Sequence, residues 1–236
     1  MRRSQGQVVY DEPFIDVQEI SGTAESIPSA PFVVQADLPI DSWHYRYLKR
    51  TLDVVGGLAM LAVFLIPGVL IALAILLTSP YPVFYSEQRV GRNGVPFRIW
   101  KFRSMRPHAP PRAHVLQWRM DKRRHDPRVT TIGRFLRRWS LDEVPQVFNV
   151  LRGDMSLIGP RPIVKAETLH YKHLLCFYLA ATPGLSGLWQ VSGRSDLDYD
   201  ARARLDAKYV QNWTLLSDVK ILFLTIPAVL GRVGAR

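Results

Sequence analysis

The chain has 236 residues, 47% of them hydrophobic, and a formal net charge of +11, which is length for one or two domains and apolar content for a buried core. Its lone cysteine, Cys176, excludes an intrachain disulfide and points to a reducing compartment. The charge is uneven: Met1–Asp41 holds two basic against seven acidic residues, whereas Arg98–Arg138 holds thirteen Lys and Arg against Asp121 and Asp126. That field suits nucleic acid, phospholipid head groups or phosphorylated small molecules without choosing among them.

Residues 1–41 are polar, acidic and sprinkled with Pro, Ser and Gly, a composition that predicts a disordered tail. No apolar run in it has the length of a signal-peptide core. Val54–Leu77, VVGGLAMLAVFLIPGVLIALAILL, is 24 residues without a charge, enough to enter or span a bilayer. Pro67 and Gly68 fall near its middle, where a proline removes a helix hydrogen bond and forces a kink. Arg46, Lys49 and Arg50 precede the run, and Arg89 and Arg92 follow it. A single crossing calls for asymmetric flanks, so the symmetry predicts a helix-break-helix over 42–79 that enters the membrane, turns at Pro67 and returns. A kinked single pass is the alternative.

Residues 80–236 read as a globular, mixed domain. PVFYSEQRVGRNGVPFRIWKFRSM predicts two short strands around the turn GRNG, then a basic loop. Ala113–Arg124 predicts an amphipathic helix, and Gln146–Leu151 the body of a helix after SLDE. GDMSLIGPRP predicts a turn, a short apolar strand and a rigid Pro-Arg-Pro. Ile163–Ala180 predicts a helix, TPGLSGLWQVSGRSD a glycine-punctuated loop, and Asp198–Gln211 a further helix. Leu215–Leu230 is strongly apolar, with Lys220 its only cation. The fold class expected is α+β, mainly helical.

The chemistry centres on SLDEVPQ (140–146). A capping box would make Ser140 the N-cap with Glu143 reaching back, but would put Pro145 at the fifth helical position, where its missing N–H costs a bond. With Asp142 as N-cap, Pro145 falls at the third position and no intrahelical bond is lost. Either way Asp142 lies at a helix N-terminus, whose partial positive charge favours an ionised carboxylate. Such a carboxylate beside Arg137 and Arg138 can attack phosphorus or hold a metal, although a plain helix start accounts for the spacing by itself. Arg161 is clamped between two prolines, and Arg194 follows Gly193 in a loop; guanidinium forks match phosphate oxygens. The histidines lack metal-ligand spacing, and no Walker-type or G-x-G-x-x-G loop occurs.

KFRSM (101–105), SLDEVPQVFNVLRGDMSLIGPRP (140–162), PGLSGLWQVSGR (183–194) and YVQNW (209–213) resemble the bacterial sugar transferases, the monotopic polyprenyl-phosphate phosphoglycosyl transferases. The resemblance covers Tyr47 to about Leu230, omits the acidic tail, and is strongest to the short-form undecaprenyl-phosphate galactose phosphotransferases of exopolysaccharide synthesis. It implies a re-entrant membrane helix followed by a small cytoplasmic catalytic domain with interfacial amphipathic helices, on the inner face of the bacterial cytoplasmic membrane. It further implies that a UDP-sugar gives its sugar-1-phosphate to undecaprenyl phosphate, releasing UMP through a covalent enzyme intermediate. Asp142 matches the nucleophile, and Glu143 its acidic partner at a Mg²⁺ site. Arg137 and Arg194 match phosphate contacts, Arg161 is carried over with them, and Pro67 matches the helix-breaking proline. Mg²⁺ and arginines would neutralise the repulsion between an anionic nucleophile and a diphosphate.

Two rivals differ in class. A membrane-anchored basic lipid- or nucleic-acid-binding module would use Arg98–Arg138 with Trp100, Trp118 and Trp139, but leaves the acidic pair and Pro-Arg-Pro without a task; no nucleic-acid partner is expected. A membrane-bound phosphatase would use the same nucleophile with water. No residue can be tied to a sugar hydroxyl, so galactose, glucose and an N-acetylated hexosamine stay open, as does a homo-oligomer.

Overall fold

The computed structural model describes residues 2–4, 7–9, 33–35, 38–78, 82–106, 128–193 and 198–230. From the acidic tail, strands β1 (Arg2–Ser4), β2 (Gln7–Val9) and β3 (Val33–Gln35) form an antiparallel sheet in that order. The remainder of 1–37 and the helix expected over Ala113–Arg124 lie outside the described residues. At the end of the tail, Pro39–Asp41 forms a 3-10 turn whose Ile40 is buried. Ser42 Oγ donates to Pro39 O at 2.7 Å and accepts from the Tyr45 amide at 3.1 Å, launching a π-turn, Tyr45–Lys49, that runs into helix α1, Arg50–Thr78.

Helix α1 has 29 residues and so is roughly 43 Å long. The expected break at Pro67 is not an interruption: the helix continues through the proline. A single missing N–H deletes one i→i−4 bond, and the strong helix formers on both sides restore the ladder. The stretch around the proline is bare, with Val63, Ile66 and Leu70 each more than 60% exposed. By length and composition this helix can cross a membrane, and only 6% of its most apolar window is buried.

Both ends of α1 rest on the globular body. At the start, Gly56 and Gly57 let the backbone approach: a Cβ on them would stand 2.4 Å from Leu157 Cδ1 and 2.9 Å from Leu151 Cδ2. Asp53 Oδ1 accepts from Ser156 Oγ and the Leu157 amide, both at 2.8 Å. Lys49 Nζ donates to Ile158 O at 2.6 Å and to Asp218 Oδ2 at 2.8 Å. Arg50 donates to Val150 O and Leu151 O at 2.7 and 2.5 Å, satisfying carbonyls at the end of a helix. At the far end, Ile75 is buried in a cluster with Phe102 and Leu136. The flanking cations counted toward membrane topology are therefore partly engaged inside the body.

The body begins with a hairpin, β4 (Phe84–Val90) and β5 (Pro96–Phe102), in register from Phe84↔Phe102 to Val90↔Pro96. Its turn needs positive φ at Asn93 and Gly94, which asparagine and glycine adopt at least cost. Helices α2 (Thr131–Arg138) and α3 (Val147–Arg152) follow. Strand β6 (Ser156–Ile158) pairs in parallel with β7 (Gly184–Ser186), so a strand sits inside the expected glycine loop. Glycine is needed there because a Cβ on Gly184 would fall 2.1 Å from the Gly159 nitrogen. The single helix expected over Ile163–Ala180 is broken: a 3-10 segment, Lys165–Leu174, is itself kinked at Lys172 (φ 48°, ψ −130°), and α4, Leu175–Ala180, follows it. Tyr171 and Tyr178, one on each piece, are both buried and meet edge to face at 5.2 Å. Helices α5 (Leu188–Val191), α6 (Tyr199–Gln211) and α7 (Leu215–Leu230) complete the chain. The main core joins Ile40, Tyr45, Ile99, Met155, Ile158 and Trp213, drawing on segments before and after α1. Leu216, Phe223 and Ile226 of α7 are exposed, an apolar face suited to a membrane surface.

Candidate active site

The end of β5 and the start of α2 are fixed against each other by backbone contact. The Thr130 amide donates to Ser104 O at 3.0 Å, and Thr130 Oγ1 caps α2 by accepting from the Gly133 amide at 2.9 Å. Residue 133 must be glycine, since a Cβ there would lie 2.0 Å from Ser104 O. One turn later, Arg137 Nε donates to Ser104 Oγ at 2.8 Å. The basic helix is thus laid across the strand that carries Lys101.

The chain then reverses at Ser140, whose φ of 54° is left-handed. Leu141–Gln146 winds as a 3-10 helix, and α3 begins only after the proline, at Val147. Neither expected cap forms: Ser140 occupies the N-cap position without a side-chain hydrogen bond, and Asp142 is the second residue of the 3-10 turn. The tighter winding is the physical solution to Pro145, because the α-helical ladder starts where every residue can donate. Leu141 and Val144 pack into the Ile75–Phe102–Leu136 cluster. That seats the turn carrying Asp142 and Glu143 on the cluster that also holds Ile75 of α1.

Asn149, fully buried on α3, bolts this turn to the hairpin. Its Oδ1 accepts from the Trp100 amide at 3.1 Å, and its Nδ2 donates to Arg98 O at 2.8 Å. Glu143 Oε1 accepts from Lys101 Nζ at 2.6 Å, with both side chains partly open to solvent. The Asp142 carboxyl is pushed above the usual carboxylate range, first by burial and then by Glu143, while Lys101 and Arg137 pull it back. That direction is opposite to the lowering expected of a helix terminus: a short 3-10 turn supplies little dipole, and burial outweighs it.

Asp142, Glu143 and Arg137 are therefore brought together. Arg161 stands in a different cluster, where its amide donates to Asp206 Oδ2 at 3.3 Å and its guanidinium lies 4.9 Å from the Trp189 ring centroid. Arg194 lies outside the described residues. Pro67 sits in the exposed stretch of α1. Lys101, Ser104 and Asn149 were not singled out by sequence reasoning. Asn149 left the clearest signal, as an amide within the apolar run VFNVL.

Among the described residues, no group of three or more His, Cys, Asp or Glu side chains is placed to hold a metal. The adjacent carboxyls of Asp142 and Glu143 fit a Mg²⁺ that takes one or two protein carboxylates and completes its shell with phosphate oxygens and water.

An arrangement of adjacent carboxylates, a lysine and an arginine, seated where an apolar helix meets the body, suits chemistry on a phosphorylated substrate at a membrane surface. Residues 44–232 match the family described as bacterial sugar transferase. The chain is 46% identical over 200 residues to the undecaprenyl-phosphate galactose phosphotransferase of Salmonella typhimurium, covering 80% of this chain and 42% of that one. It is 42% identical over 192 residues to the exopolysaccharide production protein ExoY of Rhizobium meliloti, covering 77% of this chain and 84% of that protein. It is 41% identical over 212 residues to the UDP-glucose:undecaprenyl-phosphate glucose-1-phosphate transferase of Escherichia coli K12, covering 86% and 44%. The match spans nearly all of the described body, from the turn before α1 to the end of α7, and on that ground the chain belongs to the bacterial sugar transferase family.

Proposed function

We propose that this protein transfers a sugar-1-phosphate, galactose- or glucose-1-phosphate, from a UDP-sugar to undecaprenyl phosphate, as the first membrane step of exopolysaccharide synthesis. The observation that carries the reading is the Asp142–Glu143 pair, faced by Lys101 and Arg137 and seated on the cluster that holds the end of α1. The relatives' names supply the substrates: undecaprenyl phosphate in both the galactose and glucose enzymes, and UDP-glucose in the latter.

In the first step, an Asp142 carboxylate oxygen bonds to the β-phosphorus of the donor. The bond from that phosphorus to the bridging oxygen breaks, and UMP leaves with the electron pair. In the second, a phosphate oxygen of undecaprenyl phosphate attacks the same phosphorus and frees the Asp142 carboxylate, leaving a lipid diphosphate sugar. Lys101 and Arg137 favour the ionised nucleophile and offset the charge that accumulates on the departing phosphate. Mg²⁺, held by Glu143, would add positive charge to the diphosphate oxygens.

The membrane reading follows from α1. One body holds Asp53 at its start and Ile75 near its end, which supports a re-entrant anchor with both ends on the cytoplasmic face.

The test is a panel of UDP-galactose, UDP-glucose and UDP-N-acetylhexosamines with Mg²⁺ and undecaprenyl phosphate, scoring UMP. Acceptor-dependent turnover with one sugar, and near-stoichiometric UMP release without acceptor, is the expected result. Sustained release without acceptor would make the protein a hydrolase, and no release from any donor would sink the reading.

A further inference from the structure

A second cationic centre has no task in the reaction as written. The guanidinium carbons of Arg161 and Arg202 stand 4.9 and 5.6 Å from the Trp189 ring centroid, and that of Arg202 lies 5.5 Å from the Tyr199 ring. Each cation comes from a stiff element. Arg161 is held between Pro160, fully buried, and Pro162, while Arg202 is in the first turns of the 13-residue helix α6. Proximity to aromatic faces recovers part of the cost of taking a guanidinium from water, but it does not neutralise charge.

Neither guanidinium forms an ion pair among the described residues, and Arg202 Nε is buried there with no hydrogen-bond partner. Two nearby carboxyls might be thought to balance them. Glu167 is already engaged, by the Val164 amide at 3.1 Å, Arg89 at 3.8 Å and Tyr199 Oη at 3.5 Å. Asp206 is buried beneath the pair, where its Oδ2 accepts from Tyr171 Oη at 2.7 Å and from the Arg161 amide. Its Oδ1 has no partner among the described residues, and burial pushes the group up to about 7, so at neutral pH it carries only part of a negative charge. Burial, and then Arg161, pull Arg202 below its usual value, and the engaged carboxylate of Glu167 offsets this only in part.

Two partly buried guanidinium groups beside one indole, without an ion pair among the described residues, match an anion with several acceptor oxygens. We propose that Arg161 and Arg202, held over Trp189, form a clamp for a phosphoryl group. The identity of its ligand rests on the function proposed above, in which the diphosphate of the nucleotide sugar and the phosphate monoester of the lipid acceptor share this chemistry. Arg202 is thereby a binding residue that no motif of the sequence singled out.

Titration calorimetry on the full chain in nanodiscs, with UDP and with a short prenyl phosphate as separate probes, tests the clamp. R202Q weakens binding of its ligand roughly 10- to 100-fold, the range for loss of a charge-assisted hydrogen bond. R202K recovers part of the loss, because an ammonium keeps the charge but not the fork. R161Q weakens the same probe, and the double variant loses less than the product of the two. R204Q, an exposed arginine on the same helix, changes binding less than about twofold by screening. Loss for UDP alone assigns the donor, loss for the prenyl phosphate alone assigns the acceptor, and loss for both assigns one position used in turn. Wild-type affinity of R202Q for both probes overturns the clamp even if the variant melts lower, as does an equal loss in R204Q. Loss of probe binding in R202Q, in a protein that turns over no donor, would break the proposed function and keep the clamp. Normal turnover with wild-type affinity in R202Q would do the reverse.

Discussion

Two lysine–carboxylate centres flank α1, and their difference separates architecture from chemistry. Below its start, Lys49 and Asp218 are almost fully buried, and every charge is answered: Asp218 Oδ1 accepts from Tyr209 Oη at 2.7 Å, and Oδ2 from Lys49 and from Trp213 Nε1 at 2.9 Å. Beside its far end, Lys101 and Glu143 are a quarter to a third open, and neighbouring Asp142 is held out of its ordinary protonation range. The first network is saturated and has nothing left to offer a ligand. The second stays partly open to solvent beside a carboxyl that burial has raised, a setting in which a reactive group can be poised.

The comparison breaks most sharply at Asp142. D142N lowers UMP release by at least roughly a thousandfold, as expected for loss of a nucleophile. Its stability moves the other way. A carboxyl raised in the folded state is penalised when charged, so the penalty is absent below the unfolded value of about 3.9 and complete above the raised folded value. The neutral amide escapes it, and D142N therefore unfolds no earlier than wild type at pH 7, with the gap closing near pH 4 by thermal scans. A clearly less stable D142N at neutral pH would make Asp142 a structural residue and erase the contrast.

D218N does the opposite, leaving buried Lys49 with only the longer contact to Asp53 at 4.0 Å, at a cost of about 3 kcal/mol in denaturant unfolding. The protein that remains folded keeps its stoichiometric UMP burst; a burst lost with stability intact would place Asp218 in the chemistry. K101M is intermediate. Removing a cation that favours the charged form raises the Asp142 carboxyl further, so the acid limb of the rate profile shifts to higher pH and turnover at neutral pH falls about tenfold. An unmoved limb would confine Lys101 to Glu143. The smallest effect is S104A, which removes one hydrogen bond that orients Arg137 and raises the donor KM about threefold, with kcat unchanged.

Much of this was legible in order along the chain. The uncharged run of residues 54–77, the hairpin about Asn93–Gly94 and the acidic pair were all readable because each signal is local: hydropathy, turn chemistry, adjacency. Pro145 announced a conflict at the acidic pair, but both helical solutions weighed were wrong. A 3-10 turn is favoured there by the packing of Leu141 and Val144, which no local rule registers. Lys49, Arg50 and Arg89 illustrate a different limit. By sequence they are interchangeable flanking cations, while in the fold Lys49 is buried on Asp218 and Arg89 is hydrogen-bonded to Pro162 O at 3.1 Å.

Sequence alone determined that the chain carries an apolar run long enough to enter a bilayer, a basic body and an adjacent carboxylate pair, since composition and neighbouring residues encode those properties directly. Tertiary structure alone decided which carboxylates are satisfied and which cations have no ion pair among the described residues. Lys49 meets Asp218 across 169 positions and Lys101 meets Glu143 across 42, and Arg161 and Arg202 come to the same ring of Trp189. Protonation, ion pairing and reactivity are set by burial and by distances between such remote groups, and those quantities come into being only when the chain is packed.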